Sequence, residues 1–304
     1  PLLFSVMGSG AIIFLLIVLS YRQIAKYLKL VAIVMFSYVL AAFLVETNWR
    51  EVIVRTFIPQ IIWSKEYLLI VAAFFGTTIS PYLFFWQASE AVEEEKMHLI
   101  PSDKPHGQHR SGRIINNEIS TMYKDIGFGM FFSNLITYFI IILTNATLFR
   151  VGISNISTVQ EVASALEPLA GPNANLLFLV GIVASGVLAI PVLAGSAAYA
   201  LAETFGWRHG FENKFTKAKQ FYIVIIIATL LGIAIPFFNL HPIEILFHTA
   251  LLYGLISPIL ILLVIHMANN PKIMGKYTSR PYSNIIAYLL FVVMTAGIVL
   301  MFTL

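Results

Sequence analysis

Eight apolar runs pattern this chain, at about 2–20, 30–46, 67–91, 126–149, 174–202, 220–239, 243–267 and 283–303, with charged residues gathered between them. An apolar helix needs roughly 20 residues to cross the hydrocarbon core of a bilayer. Each run comes near that length, so the pattern predicts eight transmembrane helices. The run 30–46 is short, and 243–267 follows a loop of only a few residues. Charge is nearly absent from the cores; Glu90 and Glu244 stand near run ends. Between the runs, 97–122 reads as an exposed inner loop carrying Pro101, Pro105 and Gly107. Residues 151–172 read as an outer loop with a short helix around 158–166.

Composition agrees. Of 304 residues, 59% are hydrophobic and 11% charged, with a mean hydropathy of +0.84. Soluble domains carry about 25% charged residues. A soluble enzyme, a disordered chain and an ordinary nucleic-acid binder are excluded. The net charge of +4 is explained by topology instead. With 21–30 placed inside the cell, fifteen of the nineteen Lys and Arg fall on inner segments, and only Arg50, Arg55, Lys65 and Arg150 fall outside. This alternation follows the positive-inside rule over all eight runs, and it sets the basic residues against the anionic inner lipid surface. Trp49, Trp63 and Trp207 sit where interfacial anchors belong. Cysteine is absent, so disulfides and thiolate metal sites are excluded for this chain. The first run is already under way at Leu2, behind Pro1 and with no basic leader. That start is expected of a fragment whose preceding residues are missing.

The third run holds the main anomaly. Gly76, Thr77, Thr78, Ile79, Ser80 and Pro81 fall in its middle. Proline removes a backbone donor and disturbs the turn before it. In lipid the freed carbonyls need protein, water or an ion. A helix broken at the midplane is one way that transporters build an ion site; a plain proline kink is the other reading of the same residues. Pro191 stands in a stretch dense in Gly, Ala and Ser, which suits close helix packing. Pro236 reads as a terminator, and Pro258 as a kink or a cavity wall. Asn134 and Gln87 suit hydrogen bonds between helices, and His248 suits either an interfacial place or a proton relay. His98, His106 and His109 lie in the inner loop, where polar filler and metal binding are both open. Glu93, Glu94 and Glu95 close the third run, either as a solvated helix end or as a cation-gathering inner mouth. No protease, Walker or hydrolase motif is present, nor a pair of intramembrane carboxylates, so no enzyme is expected.

These residues resemble the Nramp family of divalent metal transporters, and within it the Nramp-related magnesium transporters. The likeness rests on GTTISPYLFFWQASEAVEEE (76–95), YKDIGFGMFFSNLITYFI (123–140), ASGVLAIPVLAGSAAYALAETFGWR (184–208), ANNPKIMG (268–275) and YRQIAKYLKL (21–30). The resemblance implies an all-α membrane protein with the LeuT-type inverted-repeat fold, present in part as helices four to eleven, in a multi-pass cell-membrane setting. Such proteins hold a divalent cation between two broken helices. The family's sixth-helix motif A-x-x-M-P-H falls on Thr77, Ser80, Pro81 and Tyr82, which implies Thr77 as a carbonyl ligand and Ser80 in place of a thioether. Gly76, Thr78, Pro81, Tyr82 and Gln87 would form the break and pathway, with Glu90, Glu93 and Glu94 at the cytoplasmic mouth. Exchanging a soft thioether for oxygen favours hard ions such as Mg2+ or Mn2+. Tyr82 and Gln87 occupy the places of the family's histidines, which points towards uniport without a coupled proton. The implied partners are the transported ion, membrane lipids and the preceding helices, with no cofactor and no nucleic acid. The alternative is an organic-solute symporter of the same fold.

Overall fold

The computed structural model describes residues 2–18, 21–98, 112–149, 152, 159–238 and 241–303. Among them there is no strand. The helices are α1 (Leu2–Val18), α2 (Tyr21–Val34), α3 (Ser37–Leu44), α4 (Trp49–Phe57), α5 (Lys65–Thr78), α6 (Pro81–His98), α7 (Gly112–Thr147), α8 (Val159–Phe205), α9 (Lys219–Ala234), α10 (Pro242–Ala268), α11 (Pro271–Met274) and α12 (Pro281–Thr303).

Among the described residues, six stretches are long and apolar enough to span: Gln23–Leu44, Lys65–Glu93, Ile119–Thr147, Leu176–Phe205, Pro242–Ala268 and Pro281–Thr303. The other two expected spans are shorter helices. The run 2–20 forms the 17-residue α1, and 220–239 forms the 16-residue α9. At a rise of 1.5 Å per residue, α9 covers about 24 Å. A 3-10 turn at Ile235–Phe238 extends it by about 8 Å. Pro236 lies in that turn, so α-helical geometry stops just before it.

Three expected loops are shorter than the sequence suggested. Residues 21–30 are helical, as the first turns of α2. They contain no Gly or Pro, and their long basic side chains can keep charge in water while apolar neighbours pack. Residues 112–122 belong to the 36-residue α7, and 159–172 to the 47-residue α8. At about 1.5 Å per residue, α8 is about 70 Å long and far exceeds a bilayer core. Hydrophobicity marks only its apolar part, so 159–172, just under a third of it, read as a loop with a short helix. Residues 99–111, with His106 and His109, lie outside the described residues, as do 153–158.

The chain folds as two units. The first comprises Pro1–Thr56 and Ser89–Thr229. In it α3 packs on α7 and α8, and α2 on α8. Tyr38, Ala41, Ala42, Val45, Ile136, Leu143 and Phe178 form its core. Gly181 lets α8 approach α3: a β-carbon there would fall 2.6 Å from the Tyr38 ring. α8 runs through Pro191 without interruption, with Ala194, Ala198 and Ala202 buried. The expected close-packing stretch is therefore interior.

The second unit comprises Phe57–Ala88 and Leu230–Leu304, in which α5, α10 and α12 pack on one another. Ala72 and Gly76 of α5 face Ala250 and Gly254 of α10. A β-carbon on Gly76 would lie 2.0 Å from Ala250 O, and one on Gly254 would lie 2.3 Å from Ala72 O. Small residues at a spacing of four on both helices allow this contact of backbones.

Candidate functional site: the break between α5 and α6

α5 starts on Ser64, whose hydroxyl accepts from the Tyr67 amide at 3.2 Å. It ends at Thr78. Ile79 leaves helical geometry at φ −109°, ψ 60°, although its amide still donates to Phe75 O at 2.8 Å. Ser80 belongs to neither helix, and α6 begins at Pro81. Proline suits a first helical position because the donor it lacks would be orphaned there. The same lack deprives Thr77 O of its partner four residues on.

Hydroxyl groups take over the freed acceptors. Ser80 is 1% exposed, and its Oγ donates to Gly76 O at 3.1 Å and also faces Thr77 O. Ser257 of α10 is fully buried, and its Oγ lies 2.7 Å from Ile79 O and 2.6 Å from Tyr253 O. One proton serves both of those acceptors. Thr77 and Thr78 turn their hydroxyls back to Phe74 O, at 2.8 and 2.9 Å. Their side chains therefore stay with α5, and the main-chain oxygens of Gly76, Thr77 and Ile79 are held by the hydroxyls of Ser80 and Ser257. Gly76 is buried where α5 crosses α10.

This geometry brings Thr77 O and Ser80 Oγ, the two oxygens expected to be ligands, together in one turn, where the hydroxyl donates to the carbonyl. Tyr82 is half-buried and meets Tyr253 edge-on, with ring centroids 5.6 Å apart. Gln87 is exposed, a turn and a half further along α6. The break supplies neutral oxygens at the carbonyl end of α5, the end of a helix that favours a cation. Among the described residues no group of three His, Asp or Glu could hold a metal ion. A divalent ion here would thus draw its countercharge from residues beyond this turn.

The acidic end of α6 differs from expectation. Glu90 is half-buried, and Glu93 is 7% exposed instead of solvated. Glu93 Oε1 accepts from the Tyr199 hydroxyl at 2.7 Å. Aromatic rings explain its withdrawal from water: Tyr199 meets Phe221 and Phe211 edge-on, at 4.9 and 6.0 Å between centroids. One turn earlier, Ser89 Oγ donates to Glu203 Oε1 at 2.8 Å. The side chain of Glu94 lies outside the described residues, as does that of His98.

Other polar candidates stay local. The Asn134 amide donates to Met130 O within α7, and His248 is exposed beside Phe247. Sequence reasoning missed two partners: Ser257, which had only a neighbouring proline to mark it, and Tyr199, which lies 106 residues from Glu93. It also missed the amide pair Asn269–Asn284, joined at 3.0 and 2.6 Å.

Comparison with known proteins gives a consistent answer. The family described as "Natural resistance-associated macrophage protein-like" (Nramp) matches residues 1–304. A divalent metal cation transporter MntH of Clostridium acetobutylicum is 23% identical over 256 residues, covering 84% of this chain and 53% of that protein. A divalent metal cation transporter MntH of Caldanaerobacter subterraneus subsp. tengcongensis is 23% identical over 279 residues, covering 90% of this chain and 60% of that protein. The chain thus spans little more than half the length of these relatives.

Proposed function

From the premise that this chain belongs to the Nramp family, and so to multi-pass membrane proteins of LeuT-type fold, we propose that it forms part of a transporter of divalent metal cations. In this reading it supplies helices four to eleven, and alternating access moves the ion past the α5–α6 break. The transported ion is hard, Mg2+ or Mn2+. The observation that carries the reading is the break itself: interrupted backbone at 79–80, with Thr77 O and Ser80 Oγ adjacent.

The chemistry follows from the donors. Before an ion arrives, Ser80 satisfies the carbonyl that Pro81 leaves without a partner. An entering ion takes Thr77 O, the serine hydroxyl turns its proton away, and its oxygen lone pair becomes a ligand. Both donors are hard and neutral, which suits Mg2+ or Mn2+ over softer metals. Mg2+ keeps several of its waters, and a serine is small enough to leave them room. Tyr82 and Gln87 stand where the family has histidines, so in this reading movement is uniport driven by membrane potential, worth about 2.3 kcal/mol per charge per 100 mV.

Ser80→Met in the full-length protein tests this. Isothermal calorimetry is expected to show Cd2+ binding strengthened about tenfold relative to Mg2+, or about 1.4 kcal/mol. An unchanged ratio removes Ser80 from the site. Uptake that grows with an imposed proton gradient at fixed voltage refutes uniport.

A further inference from the structure

Glu93, expected at a solvated cytoplasmic mouth, is enclosed instead. Its Oε1 accepts from Tyr199 at 2.7 Å, and the Phe211 backbone amide faces the same carboxyl group. Its Oε2 is buried with no hydrogen-bond partner. The loop between α8 and α9 presses its main chain against this group at Gly210. That glycine has φ +106°, and a β-carbon on it would fall 1.8 Å from Oε1 and 2.7 Å from the carboxyl carbon. Backbone thus occupies the place where water would otherwise solvate a charge.

The surroundings do not offset a negative charge well. Glu212 and His209 face Glu93 from the loop, Tyr199 from α8 and Tyr222 from α9. Glu90, on α6 itself, faces Tyr199. His209 is drawn elsewhere: its Nδ1 lies 2.9 Å from Trp207 O and its Nε2 3.9 Å from Glu203 Oε1. An ionised Glu93 would leave a charged oxygen buried without a donor, which is a heavy penalty. With a proton on Oε2, Oε1 still accepts from Tyr199, and only a neutral hydroxyl lacks an acceptor.

We propose that Glu93 is a proton-binding site, separate from the helix break, whose occupancy fastens α6 to the loop 206–218. With the proton bound, the Gly210 turn closes over a neutral carboxyl. Ionisation passes the proton from Oε2 to water, and the charge left behind must be solvated, so the turn lifts. The proton acts as a latch and is not carried with the metal. This inference holds whichever ion crosses the membrane.

Hydrogen exchange of the amides in 206–218, measured on the full-length protein across pH, is the test. Above a one-proton transition, exchange should rise about tenfold per pH unit beyond intrinsic base catalysis, the slope of one linked proton. Glu93→Gln keeps the acceptor for Tyr199 without the charge, so its loop should stay protected at every pH. Infrared difference spectra should show a protonated-carboxyl C=O band below the transition, absent from Glu93→Gln and shifted by Tyr199→Phe, which removes the donor. Identical exchange profiles for wild type and Glu93→Gln would overturn the proposal. If Glu93→Gln does not fold, the infrared band decides: no band in the wild type, or one unmoved by Tyr199→Phe, overturns it.

Discussion

A single hydroxyl decides much at the helix break. Ser257 Oγ reaches Ile79 O from another helix at 2.7 Å. Without it, that carbonyl, freed by the irregular turn, loses its donor. Ser257→Ala should cost about 1 kcal/mol, the net worth of one buried hydrogen bond, read as a lower thermal midpoint in detergent. It should also speed amide exchange around residue 79. Pro81→Ala acts in the opposite sense, because a new amide at 81 can donate to Thr77 O. Residues 77–82 should then gain exchange protection, while Mg2+ affinity falls by about tenfold, or about 1.4 kcal/mol. Sequence made Pro81 and Ser80 conspicuous because each carries its oddity within one turn. Ser257 looked ordinary because its partner is 178 residues away.

At the scale of elements, the crossing of α5 and α10 positions the break. Backbone meets backbone there, so no side chain can yield to an added methyl. Gly254→Ala would put a β-carbon 2.3 Å from Ala72 O. The helices must spread, at a cost of about 1–3 kcal/mol, which a thermal unfolding series with Ser257→Ala would separate from loss of the hydroxyl bond. Apolar runs located the spanning segments well, but helix lengths less so. α2 and α8 continue through polar residues because hydrogen bonding within a helix does not depend on which side chains face water. Hydropathy reports burial in lipid and does not mark where a helix ends.

For the whole molecule, the charge asymmetry makes the strongest statement. The chain has no cysteine, so cysteines placed singly at Lys217 or Lys272 in the full-length protein, with any other cysteine removed, should react with an impermeant maleimide only from the cytoplasmic side. Those at Arg50 or Lys65 should react only from outside. Labelling of both groups from one side would invert or dissolve the assigned topology.

Sequence alone determined that this is a helical membrane protein, where its apolar segments lie, and that the third run is disturbed at 76–81, by a break or a kink. Those properties depend on hydropathy, charge and a proline, all of which act over one helical turn or one span. Tertiary structure decided which acceptors at the break are satisfied, why Gly76 and Gly254 must be glycine, and that Glu93 is enclosed. Each of these depends on atoms brought together from distant parts of the chain, where the local pattern has no reach. An acidic residue at a helix end reads as solvated until the aromatic ring that buries it is known.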